Sequence, residues 1–114
     1  MRLDVDEDRG IYVGDSNFLH IESYHSEVWE RYGANTSFSI VSVLEKIVES
    51  PKYIGLYKRS IEYVKYFPAN DEYLKMPVRR TLSGVWYARS LFHVDNDDIE
   101  HFVKKGTLKK YKGH

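Results

Sequence analysis

The feature that most constrains this chain is a change of hydrophobic period at Ser50-Pro51. Before it, Ile40, Val41, Leu44, Ile47 and Val48 recur at a 3.6-residue period, which lines one face of a helix. Thr36 or Ser37 caps that helix. Ser50 ends it, because the residue before a proline avoids the α region. After Pro51 the period is two. Tyr53–Tyr57 and Ile61–Phe67 read as strands, with Pro68-Ala69-Asn70-Asp71 as a turn. Tyr73–Leu82 alternates, with Leu74, Met76, Val78 and Leu82 on one face and Tyr73, Lys75, Arg79 and Thr81 on the other. Pro77 cannot donate to a ladder, so an edge or a bulge is expected there. Ser83-Gly84 turns the chain into a fourth strand, Val85–Val94.

Helices flank this array. Asp15 or Ser16 caps a first helix that runs to about Tyr32 and stops at Gly33, with Phe18, Ile21, Val28, Trp29 and Tyr32 as its apolar stripe. Asp95-Asn96-Asp97-Asp98 opens a short last helix that turns Ile99, Phe102 and Val103 inward and closes at Gly106. The tail after it, Leu108-Lys109-Lys110-Tyr111-Lys112, reads as basic and mobile at its end. Short turns between strands imply an antiparallel meander. The expected fold is α+β: two N-terminal helices packed on a four-stranded antiparallel sheet, with a short C-terminal helix.

At 114 residues the chain has room for one core. Residues 1–14 read as an acidic lead with a short strand at Ile11-Tyr12-Val13, and residues 15–114 as the single domain. No apolar run could span a membrane, and the acidic start lacks the apolar stretch of a secretory signal. Cysteine is absent, which excludes disulfides and thiolate metal sites and suits the cytoplasm. The net charge is zero, yet residues 1–50 hold 10 acids against 4 Lys/Arg, and residues 51–114 hold 7 against 13. That split fits two complementary faces of one fold, or a basic surface for an anionic partner. The ten tyrosines fit either core edges or stacking platforms for unpaired bases.

Four residues could carry chemistry. His20 and His25 can exchange protons near neutral pH. Five residues apart on a helix, they diverge by about 140°, whereas helical metal ligands favour spacings of three or four. His25 falls on the apolar stripe, where a satisfied core histidine is the competing reading. Arg80 has the parity of Leu74, Met76 and Val78, so its guanidinium is expected on the apolar side, needing an anion, a carboxylate or Ser90. The alternative is a sheet edge, with Glu45 or Glu49 as partner. Ser90 shares a face with Trp86, Ala88, Phe92 and Val94. Arg80 and Ser90 together suggest a polar pocket. His93 and His101 flank the last helix cap and read as surface residues. No metal site, cofactor motif, phosphate-binding glycine loop or nucleophile elbow is present.

Several segments carry a family resemblance over about residues 16–110. They are His20-Ile21 followed by His25, then Ile47-Val48-Glu49-Ser50-Pro51-Lys52-Tyr53-Ile54-Gly55, Ser60-Ile61-Glu62-Tyr63-Val64-Lys65, Ala88-Arg89-Ser90-Leu91-Phe92, and Phe102-Val103-Lys104-Lys105-Gly106-Thr107-Leu108-Lys109. In order and spacing the chain resembles phage-associated nuclease domains of the barnase–EndoU–colicin–RelE-like superfamily. The resemblance implies two N-terminal helices on an antiparallel sheet and RNA cleavage without metal. It matches His20 and His25 to the helix histidines and Ser90 to the late strand serine. Arg80, or Arg79, is then the phosphate-binding cation.

The expectation is therefore a small phage- or toxin-type endoribonuclease that needs no cofactor. A histidine, His25 in preference to His20, takes the 2′-OH proton, Arg80 stabilises the phosphoryl oxygens, and Ser90 orients phosphate or base. Arg79, Lys65, Thr81 and Arg89 are expected to contact the RNA, which is single-stranded or looped, tRNA loops included. The alternative is a non-catalytic interaction protein that binds a host protein or an inhibitor through its acidic N-terminal half.

Overall fold

The computed structural model describes residues 2–6, 9–14, 18–21, 30, 32, 37–57, 60–68 and 70–111. In chain order they form β1 (Arg2–Asp6), β2 (Arg9–Tyr12), α1 (Ser37–Glu49), β3 (Tyr53–Tyr57), β4 (Ser60–Phe67), β5 (Glu72–Arg80), β6 (Trp86–Ala88), β7 (Phe92–Val94), α2 (Asn96–Lys105) and β8 (Leu108–Lys110). Residues 18–21 are helical. The rest of the expected first helix, 22–29, lies outside the described residues. No helix among the described residues is long and apolar enough to cross a membrane.

The α+β class is as expected, and the sheet is larger than expected. Its order is β1-β2-β6-β5-β4-β3-β8, with β7 also pairing β5. The meander β3–β4–β5–β6 is antiparallel. Three additions correct the four-stranded expectation. Residues 2–6 and 9–12, read as a lead with a short strand at Ile11-Tyr12-Val13, form the antiparallel pair β1–β2. β2 then pairs with β6 in parallel, Ile11 opposite Trp86 and Tyr12 opposite Tyr87, which makes the sheet mixed. At the other edge β8, read as a tail, pairs with β3 through Gly55 opposite Leu108. The additions bury apolar side chains at both sides of the sheet: Ile11 of β2 and Leu108 of β8 are almost fully enclosed.

The fourth strand is interrupted. Val78 faces Ala88 and Lys75 faces Phe92. Three steps along β5 therefore match four along its partner, so one extra residue bulges out at Arg89-Ser90-Leu91. The backbone N–H of Arg89 still bonds the Pro77 carbonyl at 3.0 Å, while Leu91 is fully buried.

Alternation on β5 divides the core in two. Leu74, Met76 and Val78 have 0% exposure and pack with Ile40, Leu44 and Ile47 of α1, Phe18 and Ile21 of the 18–21 helix, and Ile11, Val13, Ala88 and Leu91. On the opposite face Tyr73 packs with Val64, Val94, Ile99 and Leu108 beneath α2. The C-terminal end of α1 and both ends of α2 are satisfied locally. Lys65 Nζ donates to the Ser50 carbonyl and hydroxyl (3.0 and 2.9 Å), placing a cation at the C-terminus of α1. Asp95 accepts from the Asp98 N–H at 3.1 Å, and Gly106 ends α2 in the left-handed region at φ 78°. In the β4–β5 turn, Tyr66 donates to Asp71, which pushes its phenol pKa above the usual range.

Gly55 makes the β3–β8 pairing possible. A Cβ there would stand 2.6 Å from the Thr107 carbonyl oxygen and 2.8 Å from Leu108 Cδ2. Gly55→Ala is expected to destabilise the fold by about 1–3 kcal/mol through overpacking. Leu56→Ala, on the neighbouring exposed residue, is expected to stay within about 0.5 kcal/mol. Urea melts of the two variants check this; equal midpoints would refute the close approach.

Candidate functional site

Arg79 and Arg80 are the last residues of β5, and alternation sends them to opposite faces. Arg80 has the parity of the buried Leu74, Met76 and Val78, as the sequence predicts, but it is exposed. The core ends before the strand does, so its guanidinium reaches solvent and lies over the ring of its cross-strand partner Trp86, 5.9 Å from the centroid. Among the described residues no carboxylate pairs with it, and Glu45 and Glu49 are not its partners. Arg79 is also exposed and stands opposite Tyr87 on one side and Ser60 on the other. Tyr87 stacks at a tilt on Tyr12, ring centroids 6.0 Å apart. The result is a cross-strand row, Ser60–Arg79–Tyr87–Tyr12, on a part of the sheet that α2 does not cover. Lys75, farther along this face, is taken up by Glu62 at 3.7 Å and by the rings of Phe92 and Phe102.

The turn after β5 is built by Thr81. Its N–H donates to the Val85 carbonyl, its own carbonyl accepts from the Gly84 N–H, and its hydroxyl bonds Ser83 Oγ and accepts from the Val85 N–H. Gly84 needs its φ of 88° there, which L side chains rarely adopt. Thr81 thus holds Arg80 and Trp86 in register.

The pocket expected from Arg80 and Ser90 does not form. Arg80 lies opposite Trp86, and Ser90 is four residues farther along, roughly 13 Å for extended chain. Ser90 is half-buried in the bulge beside the exposed Arg89. Lys65 lies near the other end of β5, opposite Leu74, with its ammonium on Ser50. It therefore acts on the end of α1, away from the arginine pair. His25 falls outside the described residues.

The segment that carries His20 starts level with the bulge. β2 runs parallel to β6, so its exit at Val13-Gly14 lies level with Ala88-Arg89. The helical residues 18–21 start there, with the Phe18 N–H on the Gly14 carbonyl at 2.8 Å. Phe18 and Ile21 are buried with Ala88 and Leu91 in one cluster, and His20 between them is exposed. The start of the 18–21 helix thus lies level with Arg89 and Ser90, opposite the middle of β5, and the row Arg79–Tyr87–Tyr12 crosses the sheet one to two residues before the bulge.

One constellation escaped the sequence. Glu72, 7% exposed, is held from both sides: His93 Nε2 lies 2.8 Å from Oε2, and the Tyr32 hydroxyl donates to Oε1 at 2.5 Å. The signal was parity: Glu72 lies two residues before Leu74, so extending the alternation one step puts a carboxylate on the apolar face. Among the described residues no three His, Asp or Glu side chains converge on a metal-sized position.

Comparison with curated proteins and with solved structures yields no match. The family described as phage-Barnase-EndoU-ColicinE5/D-RelE like nuclease3 matches residues 1–106, from β1 through α2. This covers the added strands β1 and β2 as well as the bulge and the Glu72 cluster, so the chain belongs to this family of nucleases.

Proposed function

We propose that this nuclease cuts single-stranded or looped RNA without a metal, by attack of a ribose 2′-OH on the adjacent phosphorus. The products are a 2′,3′-cyclic phosphate and a free 5′-OH. The observation that carries the reading is that Arg89 and Ser90 sit in a bulge between β6 and β7, where the helical segment with His20 begins and beside the row of Arg79, Tyr87 and Tyr12, in a chain of a nuclease family. A bulge turns side chains away from the regular pleat and is common next to active sites. Arg89 supplies the bidentate cation at the reacting phosphate and Ser90 a hydrogen bond to it. A helix histidine, His25 or His20, takes the 2′-OH proton. Tyr87 and Tyr12 stack unpaired bases, and Arg79 and Arg80 hold the flanking phosphates. Arg80, lying apart from Ser90, serves binding in this arrangement.

These roles separate in kinetics. Tyr87→Ala and Arg79→Ala are expected to raise KM for an RNA oligonucleotide roughly tenfold with little change in kcat, since a base stack is worth about 1–3 kcal/mol. Arg89→Ala is expected to lower kcat instead. Steady-state kinetics on a fluorogenic oligonucleotide reads both. A Tyr87→Ala enzyme with wild-type KM would remove the stacking face from the reading.

A further inference from the structure

We infer that His93, held by the buried carboxylate of Glu72, is the general acid that protonates the leaving 5′-oxygen. This rests on the ribonuclease reading above and deepens it by naming the second proton-transfer group. His93 Nε2 faces Glu72 Oε2 at 2.8 Å, and its side chain is 48% exposed while that of Glu72 is 7%. A carboxylate at Nε2 keeps a proton on that nitrogen, so Nδ1 is the atom that gains and gives up the exchangeable proton. Among the described residues nothing bonds Nδ1. Tyr32 holds the other carboxylate oxygen, which fixes the orientation of Glu72 and through it the ring.

His93 lies opposite Leu74, so it shares the face on which Phe18 and Ile21 pack, across the sheet from the Arg79–Tyr87–Tyr12 row, and RNA held on that row meets it by crossing the edge at the bulge. It is three residues beyond Ser90, roughly 10 Å of extended chain. β7 pairs only with β5 among the described residues, and His93 is half exposed there. Tyr32 reaches Glu72 at the far end of this edge. In the step proposed, the 2′-oxygen–phosphorus bond forms and the phosphorus–O5′ bond breaks. The 2′-OH proton goes to the helix histidine. The Nδ1 proton of His93 goes to O5′, leaving neutral imidazole that solvent reprotonates. His93 is thus a catalytic residue, and Glu72 a positioning residue that acts through it.

A leaving group that needs no proton tests this. Wild type, His93→Ala and Glu72→Gln are assayed on an RNA dinucleotide and on a nucleoside 3′-(4-nitrophenyl phosphate), with circular dichroism melts as a folding check. His93→Ala is expected to lose on the order of 10²-fold or more in kcat on RNA, and to keep activity on the nitrophenyl ester within a few-fold. Glu72→Gln, close to isosteric, is expected to lower kcat on RNA with KM unchanged and to spare the ester. His93→Gln provides a second variant if alanine melts early. Wild-type RNA cleavage by folded His93→Ala would overturn the assignment and leave the ribonuclease reading standing. Equal losses on RNA and ester would also overturn it. A wild-type protein that cleaves neither substrate would reject the ribonuclease reading itself.

Discussion

An RNA carrying a single 2′-deoxy sugar at the scissile nucleotide is expected to resist this nuclease completely, while EDTA leaves cleavage of the unmodified RNA unchanged. The first half follows from the nucleophile: without the 2′-oxygen the cyclic phosphate cannot form. The second follows from the mechanism proposed, in which charge developing on phosphorus is met by Arg89 and hydrogen bonds. His25→Ala is expected to slow the reaction by on the order of 10²–10⁴, the usual span for a general base or acid. Gel analysis of an end-labelled oligonucleotide, with mass spectrometry of the 3′ end, reads all three. Cleavage of the deoxy-substituted strand, or activity that EDTA removes and magnesium restores, would reject the mechanism. Tight RNA binding with no cleavage of any strand would instead favour an interaction protein.

The largest stability effect is expected at Leu74. It has 0% exposure and lies in β5 at the centre of the sheet, in one cluster with α1 and the 18–21 helix. Leu74→Ala removes buried methyl groups and leaves a cavity that the rigid sheet cannot close, so it should cost about 3 kcal/mol. For a chain of this size that lowers Tm by roughly 10–20 °C. Leu82→Ala is the control: Leu82 is 89% exposed in the turn after β5, and its loss should move stability by less than about 0.5 kcal/mol. Matching melts for the two variants would contradict the assignment of the core.

The elements easiest to read in the sequence were those whose pattern is local. The α1 stripe, the stop at Ser50-Pro51, the β4–β5 hairpin and the Asp95 and Gly106 caps of α2 follow from neighbours along the chain, and the structure has them. The strands at the sheet edges depend on partners far away. Leu3 and Val5 alternate with Arg2, Asp4 and Asp6, but the acids of that segment suggested a solvated lead, and nothing near Ile11 signals Trp86. Leu108 is likewise one buried residue in a basic tail. For the site, parity put Arg80 on the correct face and could not show that the core stops short of it. A single inserted residue at Arg89-Ser90-Leu91 redirected everything after it, which alternation carried straight through the strand cannot register. Glu72 was missed because the strand was started one residue late.

The parallel pairing of β2 with β6 also sets when this nuclease can come into being. Tyr12 leaves the ribosome 75 residues of synthesis ahead of Tyr87, its neighbour across the pair (87 − 12 = 75). The open face, the bulge beside it and the edge that carries His93 all wait for that late segment. Contacts between chain ends form slowly, after the local hairpins. A nascent chain still tethered to its messenger therefore carries the early and central pieces of the sheet without the assembled face, and the ribosome making it works beside an unfinished blade.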